Sequence, residues 1–340
     1  MPINALCAQM QESIIKGVVL MTRYLLTRFL QMIMVVVVVS VLTFFMVNLL
    51  PGDIVLIVAG TDEVDQEMYD AIYYELGLDQ PVTERYIKWA WNALHLDFGK
   101  SYTMNVPVFD AISARIPTTL YLSVLSMLIS TPIGVVLGVI CAVNRKTKID
   151  TAITLTANTL NSLPSFWIGI VLLYIFCFKL KLLPTIGFDL PWKMPLGKHL
   201  KLLILPMTCL TLGGIAGMTR LTRTSMLEVI RQDFIRTARS KGLREKVVLY
   251  KHMLRNGILP IITVLGSRLA VLIGGSMFVE NVFAIPGMGT LSVKCVQSKD
   301  IPMIQGIVLI MTTLLCVAYI ITDIMYVVVD PRISLKSSAE

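Results

Sequence analysis

Three ionisable side chains sit in or beside long apolar runs of this 340-residue sequence: Arg268, Glu280 and Asp323. A charge at membrane depth is costly to desolvate, so it needs a partner or a polar passage to face. Arg268 precedes Glu280 by 12 residues, about 18 Å along a helix, too far for the two to pair within it. Arg268 is therefore expected at an interface or gate, with Asp323 or a second chain as its partner, ahead of direct substrate contact. Glu280 is expected near an outer mouth.

A second feature is the basic stretch Arg223–Asn256, with nine Lys or Arg against three acids. Inside it, Asp233 can cap a short helix and Gly242 can stop it. The residues between, Phe-Ile-Arg-Thr-Ala-Arg-Ser-Lys, form two turns with Phe234 and Ala238 on one face and Arg236, Arg239 and Lys241 around the rest. A small residue ringed by cations suits a partner's groove, whereas charge alone orients a chain and attracts anionic lipid. Catalysis finds no foothold. HExxH and GxSxG motifs are lacking, and His95, His199 and His252 fall in different loops, which argues against a permanent metal site. Six cysteines (Cys7, Cys141, Cys177, Cys209, Cys295, Cys316) show no CxxC pairing and read as small hydrophobes in packed helices.

The elements that must position these groups follow from charge segregation. The chain is 55% hydrophobic and 15% charged, with net charge +8, and its charges lie between apolar runs rather than among them. Uncharged runs cover 29–52, 116–144, 151–178 and 202–219; a fifth, about 257–279, is interrupted by Arg268, and a sixth passes 301–322 and continues beyond Asp323 to 329. At about 20 residues per span, the count is six. The links 144–150 and 223–256 are basic, whereas 53–115 holds four basic and eleven acidic residues. The positive-inside rule then puts both termini and both basic links in the cytoplasm, and it attributes the surplus charge to the membrane surface rather than to nucleic acid. The expected division is a cytoplasmic segment 1–28, a first span 29–50, an extracytoplasmic subdomain 51–115, a five-helix core 116–330 carrying the loop 223–256, and a tail 331–340.

In the outer segment, Thr61 is expected to cap a helix led by Asp62, Glu63 and Asp65, with Val64, Met68, Ala71 and Ile72 on one face and Gly77 as its stop. A second helix from Pro81 turns Val82, Tyr86, Trp89 and Ala93 inward, with Trp89 and Trp91 at headgroup level. Small residues at Gly134/Gly138 and Gly213/Gly217 offer close helix contacts. Pro132, Pro164, Pro206 and Pro260 are positioned to kink or start spans.

These segments together resemble binding-protein-dependent ABC importer permeases, and within them the dipeptide, oligopeptide and nickel branch. The likeness is carried by Asp233-Phe-Ile-Arg-Thr-Ala-Arg-Ser-Lys-Gly-Leu243 with His252, Arg255-Asn256 and Pro260 behind it. It extends to Leu50-Pro-Gly-Asp53, Glu75-Leu-Gly-Leu-Asp-Gln-Pro81, Leu96-Asp-Phe-Gly99, Arg115-Ile-Pro-Thr-Thr-Leu120, Glu280-Asn-Val-Phe-Ala-Ile-Pro-Gly-Met-Gly289 and Asp330-Pro-Arg-Ile333. Together they cover about residues 22–334. The broad importer motif opens Glu-Ala-Ala; here those positions read Arg236-Thr237-Ala238, a variant of the peptide and nickel branch.

The resemblance implies an all-α, six-helix permease in a prokaryotic inner membrane, paired with a second homologous permease, two ATPases and an extracytoplasmic binding protein. It gives Asp233, Arg236, Thr237, Ala238, Arg239, Lys241, Gly242, His252, Arg255 and Asn256 to the loop that couples to an ATPase. The chain lacks a G-x-x-x-x-G-K-[ST] loop, so ATP and its magnesium are expected on the partner ATPases and no cofactor on this chain. Small peptides are the first expected cargo. Nickel or a nickel chelate is the alternative, raised by Leu94-His-Leu-Asp-Phe-Gly99 and 19 methionines. A proton-coupled carrier would want inverted repeats and acidic or His residues in several spans, which the sequence does not clearly show.

Overall fold

The computed structural model describes residues 26–46, 53–60 and 64–329. The Thr61 cap, the Leu50-Pro-Gly end of the first span, Asp330-Pro-Arg-Ile333 and the two terminal segments lie outside the described residues, apart from positions 26–28. Helix α1 (Leu26–Met46) is apolar and mostly uncovered. Asp53 caps α2 (Ile54–Ala59) by accepting the Val55 amide at 2.8 Å, and it also accepts the Tyr69 hydroxyl at 2.9 Å from α3 (Gln66–Glu75). The cap of α3 is Asp65 rather than Thr61. Its half-buried face runs through Tyr69, Ile72 and Tyr73, and Met68 is exposed, so the expected face is turned by one position.

Gly77 does end α3: at φ +64 it lets the Leu78 amide reach Tyr73 O and its own amide reach Tyr74 O, the paired bonds of a Schellman stop. After Pro81, α4 (Val82–Leu94) buries Ala93 and half-buries Tyr86 and Trp89, with Val82 and Trp91 left exposed. The amphipathic short helix α5 (Val108–Ser113) leads into α6 (Ile116–Val143).

Beyond the basic link, α7 (Lys148–Ser162) and α8 (Ser165–Leu172) are one apolar run broken by 96°, with a π-helical continuation over Leu173–Lys179. Pro164 causes the break. Its ring excludes the α conformation at Leu163, which is extended at φ −86°, ψ 132°. The prolines thus sort themselves: Pro164 breaks, Pro260 starts a helix, and Pro132 and Pro206 lie inside α6 and α9 (Leu196–Val229). Helix α9 is 34 residues long, about 50 Å, so it outruns a bilayer core and carries the fold out to the basic loop.

That loop contains α10 (Asp233–Ser240), α11 (Glu245–Val247), a π-helical turn (Val248–Leu254) and α12 (Arg255–Gly257). The chain then re-enters through α13 (Leu259–Val282), α14 (Met288–Gln297) and α15 (Ile301–Val329). Among the described residues, four helical stretches are long and apolar enough to cross a membrane, five if the bent α7–α8 pair is one span. Helix α13 has 24 residues, but Arg268 interrupts it and its apolar part is the shorter Ala270–Val282. It occupies the place of the fifth span in the sequence count, and α15 that of the sixth.

Helices α6 and α9 make the most extensive pair. A Cβ at Gly138 would stand 2.5 Å from Thr222 Cβ, and one at Gly214 2.7 Å from the Ser130 side chain. The expected partner glycine, Gly213, instead faces open space. At the other end of the helices, Val108, Ile112 and Phe98 pack on Met303, Ile307 and α14, and Gly306 admits them because a side chain there would meet Val108.

Candidate functional site

The basic loop is a folded unit rather than a tether. Helix α10 starts after Gln232, with Asp233 already in its first turn next to the positive end of the dipole and not acting as a side-chain cap. Its buried face is Ile235 and Ala238, packed with Ala142, Met226, Val248 and Met253. Phe234 is 43% exposed, so the pairing of Phe234 with Ala238 expected from sequence is corrected: Ala238 faces its own chain, three residues along from Ile235. The physical reason is that α10 lies back on the π-helical turn Val248–Leu254, which turns Ile235 and Ala238 into the shared cluster.

The outward face then consists of Asp233, Phe234, Arg236, Thr237, Arg239 and Lys241, all exposed. Gly242 stops the helix at φ +73, with the Leu243 amide on Ala238 O at 3.4 Å and its own on Arg239 O at 2.9 Å. Arg239 grips Glu245 with two bonds of 2.6 and 3.3 Å, closing the turn. The Arg239 guanidinium holds the Glu245 carboxyl below the usual glutamate range. The pair's contribution is thus present at neutral pH and is lost only as pH falls through that lowered value; both groups are exposed, so it is small. His252 and Asn256 are joined through the Asn256 amide on His252 O, and Arg255 is exposed. Ser225 reaches Gly257 O at 2.7 Å and binds the returning chain to α9.

An ion pair that the sequence did not advertise ties the two basic links together. Arg223 near the end of α9 meets Asp150 at the start of α7 with both nitrogens, at 2.7 and 2.8 Å, and Asp150 also accepts from the Lys146 amide and Thr154. Asp150 is 4% exposed. Both residues served only as borders of runs in the sequence. Asp150→Ala should cost about 2–3 kcal/mol, because it strands a half-buried guanidinium and removes the acceptor for Lys146 and Thr154. The unfolding midpoint of the detergent-solubilised chain reads this out, and Asp150→Glu should recover part of it.

The three charges at depth part company. Asp323 pairs with Arg28 of α1 at 3.1 Å and not with Arg268. Glu280 is fully buried and accepts from Thr119 at 2.7 Å, Gly289 N at 2.6 Å and Ser276 at 3.2 Å. Thr119 in turn accepts the Met288 amide at 2.9 Å. Glu280 is therefore a clamp that fastens the N-terminus of α14 to α6 and α13, and it faces protein on every side. Arg268 binds Gly214 O at 2.9 Å and lines a cavity of about 300 Å³ with Ser130, Asn161, Ser165 and Gly213.

Sequence reasoning also missed Asp300. Fully buried, it caps α15 and accepts from Ser101, Thr103 and the Tyr102 and Thr103 amides, which pins the outer subdomain to the core. His199, 1% exposed, is spent on Tyr121 and Asp189 O. Among the described residues, no group of three or more His, Cys, Asp or Glu is placed to hold a metal ion.

Membrane-length helices, with the polar helical segment α2–α5 and a folded cationic loop between them, are the architecture of a polytopic membrane protein. The chain belongs to the family of binding-protein-dependent transport system inner membrane components, whose core matches residues 134–335 and whose N-terminal part matches residues 21–123. Members are membrane subunits of ABC importers, so the ATPase site belongs to other subunits and a binding protein serves the complex. A putative peptide transport system permease protein of Brucella melitensis is 40% identical over 92% of this chain and 99% of its own. The oligopeptide transport system permease protein AppB of Bacillus subtilis is 37% identical over 92% and 99%, and the glutathione transport system permease protein GsiC of Escherichia coli K12 is 36% identical over 93% and 100%. The solved inward-facing methionine ABC transporter MetNI is similar in fold, with TM-score 0.50 and 17% identity over 62% of this chain and 93% of that one.

Proposed function

We propose that this chain forms half of the passage of an inner-membrane importer of short peptides, and that the exposed face of α10 is the seat of one ATPase subunit. The other half is a second, homologous permease. Two ATPases carry ATP and magnesium, and an extracytoplasmic binding protein delivers cargo to the side of residues 53–115. Both termini and α10 lie in the cytoplasm by the charge of the loops. Peptide cargo is supported by relatives that align over nearly the whole chain and are named for peptide, oligopeptide and glutathione transport; nickel has no comparable support.

The observation that carries the seat is the two-sided packing of α10. Its inner face packs on the π-helical turn Val248–Leu254, in a cluster that also takes in Ala142 of α6 and Met226 of α9, while its outer face stays cationic and exposed. A push on α10 passes through the π-helical turn, which itself packs on α9, and coupling between two discrete packings requires such a relay. Thr237 stands in the middle of the exposed face and bonds only Asp233 O of its own helix. Thr237→Arg should leave the chain folded and in the membrane yet lower ATP-driven uptake of a labelled tripeptide by about tenfold or more in vesicles holding the full complex, through lost ATPase contact. Unchanged uptake, with ATPase subunits retained at wild-type stoichiometry, would refute the seat. Ala238→Arg is a poorer probe, since it breaks the chain's own packing first.

A further inference from the structure

The groove between α9 and α13 holds cations with no acid to answer them. Arg268 separates two cavities: the one of about 300 Å³ described above, and one of about 390 Å³ lined by Gly217, Arg220, Leu221, Thr224 and Val264. Among the described residues no Asp or Glu lines either cavity; the half-buried Arg268 makes no ion pair, and Arg220 is an exposed cation at the rim. The placement of Arg268 is built into the fold. One guanidinium nitrogen is held by Gly214 O at 2.9 Å, and another fills the space where any side chain at Gly217 would stand. A guanidinium brought to this depth without a counter-charge is expensive unless its anion arrives with a ligand, and its planar donors match a carboxylate.

We infer that Arg268, with Arg220 beyond it, is an anion site in the passage that receives the terminal carboxylate of the cargo. The cargo part of this inference rests on the peptide reading; the anion part does not. It also gives a physical ground for passing a peptide and opposing a bare divalent cation, which would meet two like charges and no ligand oxygen of an acid.

The test uses the complete transporter in lipid vesicles and has two arms. In the first, Gly213→Cys in a Cys209→Ala background reports the potential of the upper cavity whatever the cargo, since a Cβ at Gly213 opens on empty space. A thiol reagent bearing a sulfonate should react about tenfold faster than one bearing a trimethylammonium group, and adding Arg268→Gln should bring the ratio to near one. In the second, import of a labelled tripeptide is compared with import of its C-terminal amide at equal occupancy of the binding protein. The carboxylate-to-amide ratio should fall about tenfold in Arg268→Gln, through loss on the carboxylate side, and Arg268→Lys should restore most of it. Equal reagent rates, or a preference indifferent to Arg268→Gln, overturn the anion site. Equal loss of both cargoes, or loss of the second permease from the purified complex, makes Arg268 a gating or assembly residue and overturns it as well. Should the wild-type complex import neither peptide, the peptide reading fails, and the reagent arm still decides the anion site.

Discussion

Gly138→Val is expected to abolish accumulation of folded protein. At this position a Cβ would lie 2.5 Å from Thr222 Cβ and 2.7 Å from Thr219 O, and the second of these is backbone that cannot swing aside. Valine adds two methyl groups to that collision, so α6 and α9 must separate along the largest helix contact of the fold. Overpacking of this kind costs about 3 kcal/mol, a large share of the stability of an ordinary domain. Gly197→Ala is the matching control: nothing lies within 4 Å of its Cβ position, and alanine is the better helix former. Fluorescence-detected size-exclusion of the detergent-solubilised chain should show a folded peak for the control and none for Gly138→Val. A normal peak for both would mean that the two helices do not approach as described.

Glu280→Ala should be nearly as damaging, and for a polar reason. The carboxylate is the shared acceptor of Thr119, Ser276 and the Gly289 amide, all within a fully buried site. Alanine leaves these donors unpaired and opens a void, at a cost of about 3–5 kcal/mol. Glu280→Gln keeps the shape but presents one oxygen where two were used, so its effect should be smaller, about 1–2 kcal/mol. The order Ala worse than Gln in the unfolding midpoint is the signature of a clamp. A group that faces an open passage would show little loss of stability with either variant.

Much of this architecture was legible. Charge-free runs announced the helices because a bilayer offers no partner for a charge, and that signal needs no neighbour to be read. Gly77 and Gly242 were recognisable as stops because a left-handed residue after a helix is a local event, and both stand at positive φ. The 96° break at Pro164 could be placed among four candidates but not chosen from them, since a proline inside a helix is tolerated at Pro132 and Pro206 by their surroundings.

Long-range pairings were not legible. Asp150 with Arg223 spans 73 residues, Thr119 with Glu280 spans 161, and Ser101 with Asp300 spans 199, and nothing in either partner's local sequence marks the other. The face of α10 failed for the same reason. Phe234 looks like the core residue on local hydrophobicity, but the cluster around Val248 and Met253 takes in Ile235 and Ala238 instead. The motifs that carried the family resemblance prove to be joints: Asp53 joins α2 to α3, Gly77 ends α3, and Glu280 with Gly289 locks α14 in place. They hold the frame together, while Arg268 and Arg220 of the α9–α13 groove stood outside those motifs.

Site-specific crosslinking at the exposed face of α10 tests the central claim most directly. A photoreactive residue at Thr237 should capture an ATPase subunit in membranes of cells that hold the whole complex, whereas one at the half-buried Leu249, on the inner side of the same unit, should not. Capture of the ATPase from Thr237 alone is the predicted result. Capture of only lipid or the second permease from Thr237, with the ATPase still co-purifying, would contradict the account.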